Sequence, residues 1–188
     1  MWFCGLPGSG KSTIAHLVAR STKKADSSLV ILSMDSIRPM LFPNPKYSDK
    51  ERDAAYRALV LAASLLSKAG TNVLIDATGH KLVWRNLARK VCRRFVEVYV
   101  KCPIEICIER ETRRKNNNLV RKQLYLSALR RLQTGKKNHG LGKVPGVDEP
   151  FQTSRKAEII LDSTVEKPRV IAETAVKMLT KYAPEIFS

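Results

Sequence analysis

The chain has 188 residues, of which 34 are Lys or Arg and 17 are Asp or Glu, so its formal net charge is +17. This length predicts one domain with a substantial core, and no apolar run is long enough to span a bilayer. We see no secretory leader either, so we expect a cytoplasmic protein without a membrane segment. The charge favours anionic ligands such as nucleotides, phosphorylated metabolites or nucleic acid, or it is simply a solvated basic surface.

The first 24 residues predict a strand, a glycine-rich loop and a helix. "MWFC" forms the strand, and "KSTIAHLVARSTKK" has apolar residues at helical spacing. Between them "GLPGSGKST", residues 5–13, contains the pattern G-x-x-x-x-G-K-[ST]. Glycines allow the backbone to curl around an anion with its N–H groups inward, and the helix start adds its positive end. This arrangement predicts a site for the phosphates of a nucleoside triphosphate.

The residues of this phosphate loop have separate expected roles. Lys11 is expected to reach the β- and γ-phosphates, Ser12 to place its hydroxyl on Mg²⁺, and Thr13 to support the loop or bind the α-phosphate. We predict that nine consecutive residues bind the nucleotide: Gly5, Leu6, Pro7, Gly8, Ser9, Gly10, Lys11, Ser12 and Thr13. The chain is too short for a motor and lacks the N-K-x-D segment of small GTPases. A small kinase that uses ATP and Mg²⁺ is therefore the leading hypothesis.

A second strand, "SLVILSMD", is predicted to be buried and is followed by residues suited to an acceptor. In open α/β sheets the active site lies at the carboxyl ends of the strands. We expect Asp35 to accept the proton of an attacking hydroxyl and to help hold Mg²⁺, and Arg38 to clamp an anionic acceptor. The alternative is that Asp35 only caps a helix and that Arg38 is solvated.

Next in the chain, three prolines in residues 39–49 predict a loop, and a long helix is expected from about 49 to 69. Ser48 is the predicted N-cap, Glu51 completes a capping box, and Gly70 ends the helix.

The third strand, "NVLIDATG", ends beside the phosphate loop. Asp76 is expected to hold Mg²⁺ through water or to orient the acceptor, and the alternative is a cap for the next helix. Thr78, in the same loop, is predicted to bind substrate. His80 is expected to be a surface residue, as lone loop histidines usually are.

The remaining elements are a helix, a strand, a helix opened by Pro103, a basic segment, a last short strand and a closing amphipathic helix. The basic segment, about 110–143, is predicted to be a lid that supplies cations to the transferring phosphoryl group. Within it we expect Arg110 and Arg114 to be catalytic, and the leucines of "LYLSALRRL" to lie in the core. The four cysteines have no metal-site spacing and are expected to be reduced thiols.

Alternation of apolar strands with helices predicts the fold. Strands that are apolar nearly end to end are typical of a parallel sheet covered on both faces. We therefore expect residues 1–188 to form a single α/β domain of the P-loop NTPase, nucleotide-kinase-like type, with five parallel strands flanked by helices and a basic lid.

At this point the chain resembles the adenylylsulfate kinase family over nearly its whole length. "GLPGSGKST" matches that family's phosphate loop, and "MDSIR" stands where the family has D-G-D-x-x-R. The stretch "YSDKERDAAYRALVLAASLLSKAG" is similar to its helix after S-x-x-D-R, which includes Arg52. "VPGVDEPFQ" resembles its F-T-G-I-D-x-P-Y-E stretch.

The resemblance implies a kinase that phosphorylates the 3′-hydroxyl of adenosine 5′-phosphosulfate with MgATP. By position, Asp35, Arg38 and Arg52 would serve the acceptor, and Arg110 would lie against the ATP.

The chain also departs from the family's pattern. The family's S-F-I-S-P-Y loop aligns with "DATGHK", so its phenylalanine is Ala77 here and its second serine is Gly79. The phenylalanine of F-T-G-I-D is Val144. In the family these two aromatic side chains sandwich the adenine of the acceptor, and stacking of this kind is worth about 1–3 kcal/mol per base.

"SMDSIR" and "LIDATG" also resemble kinases that act on polynucleotide 5′-hydroxyls or on seryl-tRNA, in which a downstream arginine, here Arg85 or Arg89, would act. Three hypotheses therefore stand. A kinase for a small anionic nucleotide-like acceptor comes first, an RNA or tRNA hydroxyl kinase second, and a nucleotide-binding regulator without catalysis third. A homodimer is compatible with each of them.

Overall fold

The computed structural model describes residues 1–22, 29–113, 124–135 and 142–187. Within these ranges five parallel strands form one sheet in the order β2-β3-β1-β4-β5, which confirms the predicted class. The strands are β1 Trp2–Cys4, β2 Leu29–Ser33, β3 Asn72–Asp76, β4 Glu97–Lys101 and β5 Ile159–Asp162.

Helices connect and cover these strands. They are α1 Lys11–Thr22, α2 Met34–Leu41, α3 Asp49–Lys68, α4 Leu82–Val91, α5 Ile104–Thr112, α6 Leu124–Thr134, α7 Pro168–Thr180 and α8 Pro184–Phe187. Of the predicted lid, α6 and both ends are described. Arg114 and the rest of 114–123 and 136–141 lie outside the described residues. No helix of the described ranges is long and apolar enough to cross a membrane.

Apolar side chains cover both faces of the sheet. On one face α1 and α7 bury a cluster that includes Ile14, Val18 and Leu179. On the other face α3 and α4 bury a second cluster that includes Leu59 and Trp84. Strand β2 was predicted to be buried, but all five of its residues are only half-buried because it is an edge strand of the sheet.

The central position of β1 determines where the phosphate loop lies. Strand β1 pairs with β3, where Phe3 is the partner of Asp76, and on its other side with β4. The loop that follows β1 therefore begins beside the residues that follow β3, and the Gly5 N–H donates to the Thr78 carbonyl at 3.3 Å. Parallel pairing thus brings residues about 70 positions apart to one edge of the sheet.

Local signals placed both ends of α3 to within one residue of the predicted 49 and 69. The Ser48 hydroxyl accepts from the Glu51 N–H at 3.2 Å, as an N-cap should. The Glu51 carboxylate does not complete the capping box, since it accepts from the N–H groups of Lys46 and Tyr47 at 2.7 and 3.1 Å. The loop predicted for 39–49 begins only at residue 42, because Pro39 lies inside α2.

Candidate active site

The phosphate loop depends on glycine at a point where the backbone packs tightly. Gly8 has a φ of +82°, a conformation that L side chains rarely adopt. A Cβ at this position would lie 2.4 Å from the carbonyl oxygen of Cys107 in α5. The loop is therefore pressed against α5, and a side chain at residue 8 would displace it.

A cavity of about 200 Å³ opens beside this loop. Most of the residues predicted to bind nucleotide or acceptor line it: Pro7, Gly8, Gly10, Lys11, Ser12, Thr13, Asp35, Arg38, Arg52, Asp76 and Thr78. The predicted residues Gly5, Leu6, Ser9 and Arg110 are not on its wall. The fold thus brings together side chains from β1–α1, α2, α3 and the end of β3.

Ser12, predicted to hold Mg²⁺, and Asp76, predicted to hold it through water or to orient the acceptor, are in direct contact. The Ser12 hydroxyl donates to the Asp76 carboxylate at 3.1 Å, and Asp76 is 4% exposed. Among the described residues no three His, Cys, Asp or Glu side chains cluster closely enough to hold a metal by themselves. Oxygen ligands of this kind suit Mg²⁺, which usually takes one or two protein oxygens together with phosphates and water.

The structural alternatives for the two aspartates are wrong. Ser33 occupies the N-cap position of helix α2 without a side-chain capping bond, and Asp35 lies inside the first turn, exposed on the cavity wall. Lys81 occupies the N-cap position of helix α4, five residues beyond Asp76. Neither aspartate therefore occupies a helix N-cap position, and both line the cavity.

Arg38 is held at the cavity rather than solvated. Its side chain is 12% exposed and pairs with Glu51 at 3.5 Å. Its guanidinium also lies over the ring of Tyr47, 5.2 Å from the centroid. Tyr47 and Tyr56 line the cavity too, but nothing in the local sequence distinguished them from other tyrosines.

Arg110 lies beside the phosphate loop but not on the cavity wall. Its guanidinium donates to the hydroxyl and the carbonyl of Ser163 at 3.1 and 2.8 Å, just beyond β5. The same group is 3.9 Å from where a Cβ of Gly10 would be. Arg110 thus joins the end of the sheet to the loop, and its catalytic role stays a prediction.

A buried polar cluster forms the wall around Arg52. His80 is 1% exposed, so the expectation of a surface histidine is wrong. Its Nε2 lies 2.8 Å from a carboxylate oxygen of Glu149, and the same oxygen lies 3.5 Å from Arg52. Arg52 also donates to the carbonyl of Lys143 at 2.6 Å. The sequence could not reveal this cluster, because Glu149 is 69 residues from His80.

Burial and these contacts determine the charges in the cluster. Burial lowers the pKa of His80 to about 4, although the hydrogen bond with Glu149 works in the opposite direction. Burial tends to raise the pKa of Glu149, but hydrogen bonds from His80 and Lys143 outweigh it and leave the pKa lowered. At neutral pH the cluster therefore contains a neutral imidazole and an ionised carboxylate.

Helix α6 docks on the phosphate loop with a face that includes Leu124 but not all of the predicted leucines. The Tyr125 hydroxyl donates to the Pro7 carbonyl at 2.8 Å, and Tyr125 and Ala128 are buried. Leu126 and Leu132, predicted to lie in the core, are 39% and 62% exposed. Tyr125 and Ala128, three residues apart, form part of the contact face. A prediction based on the leucines alone did not include them.

The positions that depart from the family's aromatic pattern are filled in specific ways. Val144 is fully buried in a cluster that includes Cys107 and Tyr125, and it does not line the cavity. A Cβ at Gly79 would lie 2.9 Å from the ring of Trp2. Ala77 lines the cavity, but its methyl group offers no stacking surface. No aromatic sandwich can therefore form from these three positions.

Below the cavity three aromatic rings are stacked. Trp2 and Tyr56 have centroids 6.2 Å apart, and Tyr56 and Trp84 have centroids 4.0 Å apart. The Tyr56 hydroxyl accepts from the Gly79 N–H at 2.9 Å, and His80 contacts the Trp84 ring edge-on at 5.1 Å. This stack supports the β3–α4 loop from beneath.

The two arginines that a polynucleotide-type kinase would use are engaged elsewhere. Arg85 is fully buried, pairs with Glu97 at 3.0 Å and donates to the carbonyls of Gly79 and Gln152. Arg89 pairs with Glu158 at 2.5 Å. Neither lines the cavity.

Comparisons with known proteins show which proteins this chain is similar to. A profile of the family described as adenylylsulphate kinase matches residues 1–162. The adenylyl-sulfate kinase of Picosynechococcus sp. is 29% identical over 181 residues, 96% of this chain and 93% of that protein. The adenylyl-sulfate kinase of Bacillus velezensis is 30% identical over 165 residues, 87% of this chain and 75% of that protein. The APS kinase of Mycobacterium tuberculosis, solved in complex with AMPPNP and APS, is 30% identical with a TM-score of 0.74 and 95% of each chain covered.

Proposed function

The chain belongs to the adenylylsulphate kinase family, and from that premise we propose that it transfers the γ-phosphoryl group of ATP to the 3′-hydroxyl of adenosine 5′-phosphosulfate. As a member of this family it is an ATP-dependent phosphotransferase that acts on a hydroxyl group. The acceptor is the part of the proposal that needs a test.

One observation carries the proposal. A single cavity is bounded both by the phosphate loop, with Lys11 and Ser12, and by two arginines, Arg38 and Arg52. Phosphoryl transfer depends mainly on placing the two reacting oxygens in line and on neutralising charge. A triphosphate tail and an anionic acceptor that occupy this cavity together would meet that requirement.

The proposed mechanism assigns each group one task. Lys11 and the loop N–H groups stabilise the charge that develops on the β- and γ-phosphates. Ser12 and Asp76 would hold Mg²⁺, which would neutralise the phosphate oxygens when bound. Asp35 accepts the proton of the acceptor hydroxyl as its oxygen attacks phosphorus, and ADP leaves.

Two positively charged side chains of the protein are proposed to hold the anionic end of the acceptor. Arg38 and Arg52 orient the phosphosulfate group, since guanidinium groups match anionic oxygens in a fixed geometry. Arg52 can do so because Glu149 and the Lys143 carbonyl fix its side chain. Arg110 and Arg114 are proposed to complete the site from the lid, within a single domain.

The test is a coupled assay with MgATP and adenosine 5′-phosphosulfate. We expect ADP formation that depends on the acceptor, and a product phosphorylated at the 3′ position. Lys11→Ala should lower kcat by about 10²–10³-fold, the usual cost of removing one donor to the transition state. Lys50→Ala removes an exposed lysine of α3 and should leave the rate unchanged. Turnover of other alcohols with none of this acceptor would contradict the proposal.

The other hypotheses have less support. The relatives named above do not support an RNA or tRNA acceptor or a homodimer, and the arginines that an RNA kinase would need are bonded within the protein. A regulator without catalysis is not supported by membership of a kinase family. The cytoplasmic location stays a prediction.

A further inference from the structure

Glu51 contacts two parts of the cavity wall without lying on that wall itself. Its side chain is 10% exposed, and it is not among the residues that line the cavity. One carboxylate oxygen, Oε1, lies 3.5 Å from Nη1 of Arg38. The other, Oε2, accepts hydrogen bonds from the N–H groups of Lys46 and Tyr47 at 2.7 and 3.1 Å. Since Arg38 and Tyr47 both line the cavity, one carboxylate joins an arginine and a loop of its wall.

Tyr47 has a backbone conformation that needs such support. Its φ is +52°, the one positive value for a residue other than glycine within the described ranges. L residues rarely adopt this left-handed conformation, and it persists only where the surrounding structure maintains it. The bonds from two successive N–H groups to one oxygen of Glu51 provide that support. Glu51 therefore fixes the end of the loop before α3 and, with it, the place of the Tyr47 ring.

The Tyr47 ring and Glu51 together hold Arg38. The guanidinium lies over the ring, 5.2 Å from its centroid, in a cation–π contact. The bond to Glu51 uses Nη1, and because a guanidinium carries five N–H donors, others remain for an anionic oxygen. A long side chain that is already held before a ligand arrives loses less conformational freedom on binding.

We propose that Glu51 is a positioning residue for the acceptor, which acts through Arg38 by holding its guanidinium and the loop that carries Tyr47. The inference rests on the proposed function and deepens it, because it states what keeps an acceptor arginine in place. Glu51 should therefore influence acceptor binding and leave ATP binding and the chemical step unchanged.

The experiment measures kcat and KM with adenosine 5′-phosphosulfate and with ATP, each varied in turn. Glu51→Ala should raise the KM for adenosine 5′-phosphosulfate by about tenfold, roughly the value of one hydrogen bond to a charged group, with no change in kcat or in the KM for ATP. Glu51→Gln keeps the length of the side chain and one acceptor oxygen for the loop, so its KM should rise less. A merely structural loss would reduce the amount of active protein, and thus the apparent kcat, without this selective change in KM.

A matched control and a double substitution test the route of the effect. Glu105→Gln removes an exposed carboxylate from the first turn of another helix, α5, and should change neither KM. Arg38→Met should itself raise the KM for the acceptor. Adding Glu51→Ala to Arg38→Met should then change that KM by no more than about twofold, because residues that act through one group are not additive.

Three results would overturn the inference: an unchanged KM for the acceptor in Glu51→Ala, equal rises in both KM values, or additive effects in the double variant. Each of these leaves the proposed function intact, since the wild-type protein still turns over adenosine 5′-phosphosulfate. A wild-type protein without that turnover would instead refute the proposed function, and this inference with it.

Discussion

Gly8 and Gly70 share a backbone φ of +82°, but their surroundings differ. A Cβ at Gly8 would lie 2.4 Å from a backbone oxygen, whereas at Gly70 no described atom outside the immediate chain lies within 4 Å. Both positions therefore favour glycine because of the left-handed backbone. Only Gly8 also requires it because another part of the chain lies too close for a side chain.

We expect Gly70→Ala to lower the free energy of unfolding by about 1–2 kcal/mol, the cost of a left-handed backbone for an L residue. Gly8→Ala should cost about 1–3 kcal/mol more, because the methyl group overlaps α5. It should also abolish ATP turnover, since the loop must move. Urea unfolding of both variants tests this, and equal losses of stability would show that the close contact is unimportant.

The contact between Ser12 and Asp76 leads to a prediction about magnesium. Asp76→Asn removes the negative charge beside the proposed ion, so the Mg²⁺ concentration that gives half-maximal rate should rise by about 10–100-fold. Glu173→Gln, an exposed carboxylate on α7, is the matched control and should not change it. A titration of rate against free Mg²⁺ decides, and an unchanged midpoint in Asp76→Asn would exclude Asp76 from the ion site.

At the scale of elements, Arg85 connects three parts of the fold. It lies on α4 and pairs with Glu97 of β4. It also donates to the carbonyl of Gly79 in the β3–α4 loop and to the carbonyl of Gln152, in the segment that precedes β5. Both members of the pair are at most 1% exposed. A buried ion pair contributes little net stability over an apolar substitute, but removing Arg85 leaves the buried Glu97 carboxylate with only its longer contact to Arg89, at 3.6 Å.

Arg85→Met should therefore lower the free energy of unfolding by about 3–5 kcal/mol, because the Glu97 carboxylate stays buried. Arg94→Met breaks an ion pair whose arginine is 72% exposed and should change stability by no more than about 0.5 kcal/mol. Thermal and urea unfolding of the two variants provide the comparison. Similar losses in both would mean that the Arg85 pair is effectively solvated.

At the scale of the whole molecule, stability should depend on pH through His80. Its pKa is lowered to about 4 in the folded state, whereas an unfolded histidine titrates near 6.5. The unfolded chain therefore binds the extra proton first, and stability is lost as pH falls from about 6.5 to 4. Glu149, Arg52 and Lys81 are the charged groups that surround the ring, and the pKa of Glu149 is itself lowered from its usual value.

We expect the free energy of unfolding of the wild type to fall by on the order of 3 kcal/mol across this interval from His80. His80→Gln cannot titrate at this position, so its stability should decline less steeply. Urea unfolding at several pH values measures both slopes. Parallel slopes would show that His80 is protonated as easily in the folded state as in the unfolded chain.

The sequence predicted the layers of this fold because strand and helix periodicity is local. It also predicted the phosphate loop, since Gly5 to Thr13 are contiguous and each glycine has a stereochemical reason. Asp76 and Asp35 were found because the carboxyl ends of parallel strands meet at one edge. The order of the strands was not predicted, as no local pattern determines which strand is central.

What the sequence could not supply were contacts between distant segments. His80 was placed on the surface because its partner Glu149 comes from a loop 69 residues away. The buried face of α6 was assigned to leucines, but Tyr125 determines it by bonding to Pro7. The net charge of +17 predicted an anionic ligand. Only a few of the Lys and Arg side chains line the cavity, and many of the others are exposed on the surface.

The stacked rings beneath the cavity give this protein a built-in optical reporter. Both tryptophans of the chain, Trp2 and Trp84, belong to that stack, so all of its indole emission arises beneath the β3–α4 loop. A ligand that shifts residues 77–80 would alter the environment of these fluorophores. Occupancy can therefore be followed by light, without a label, and independently of any turnover.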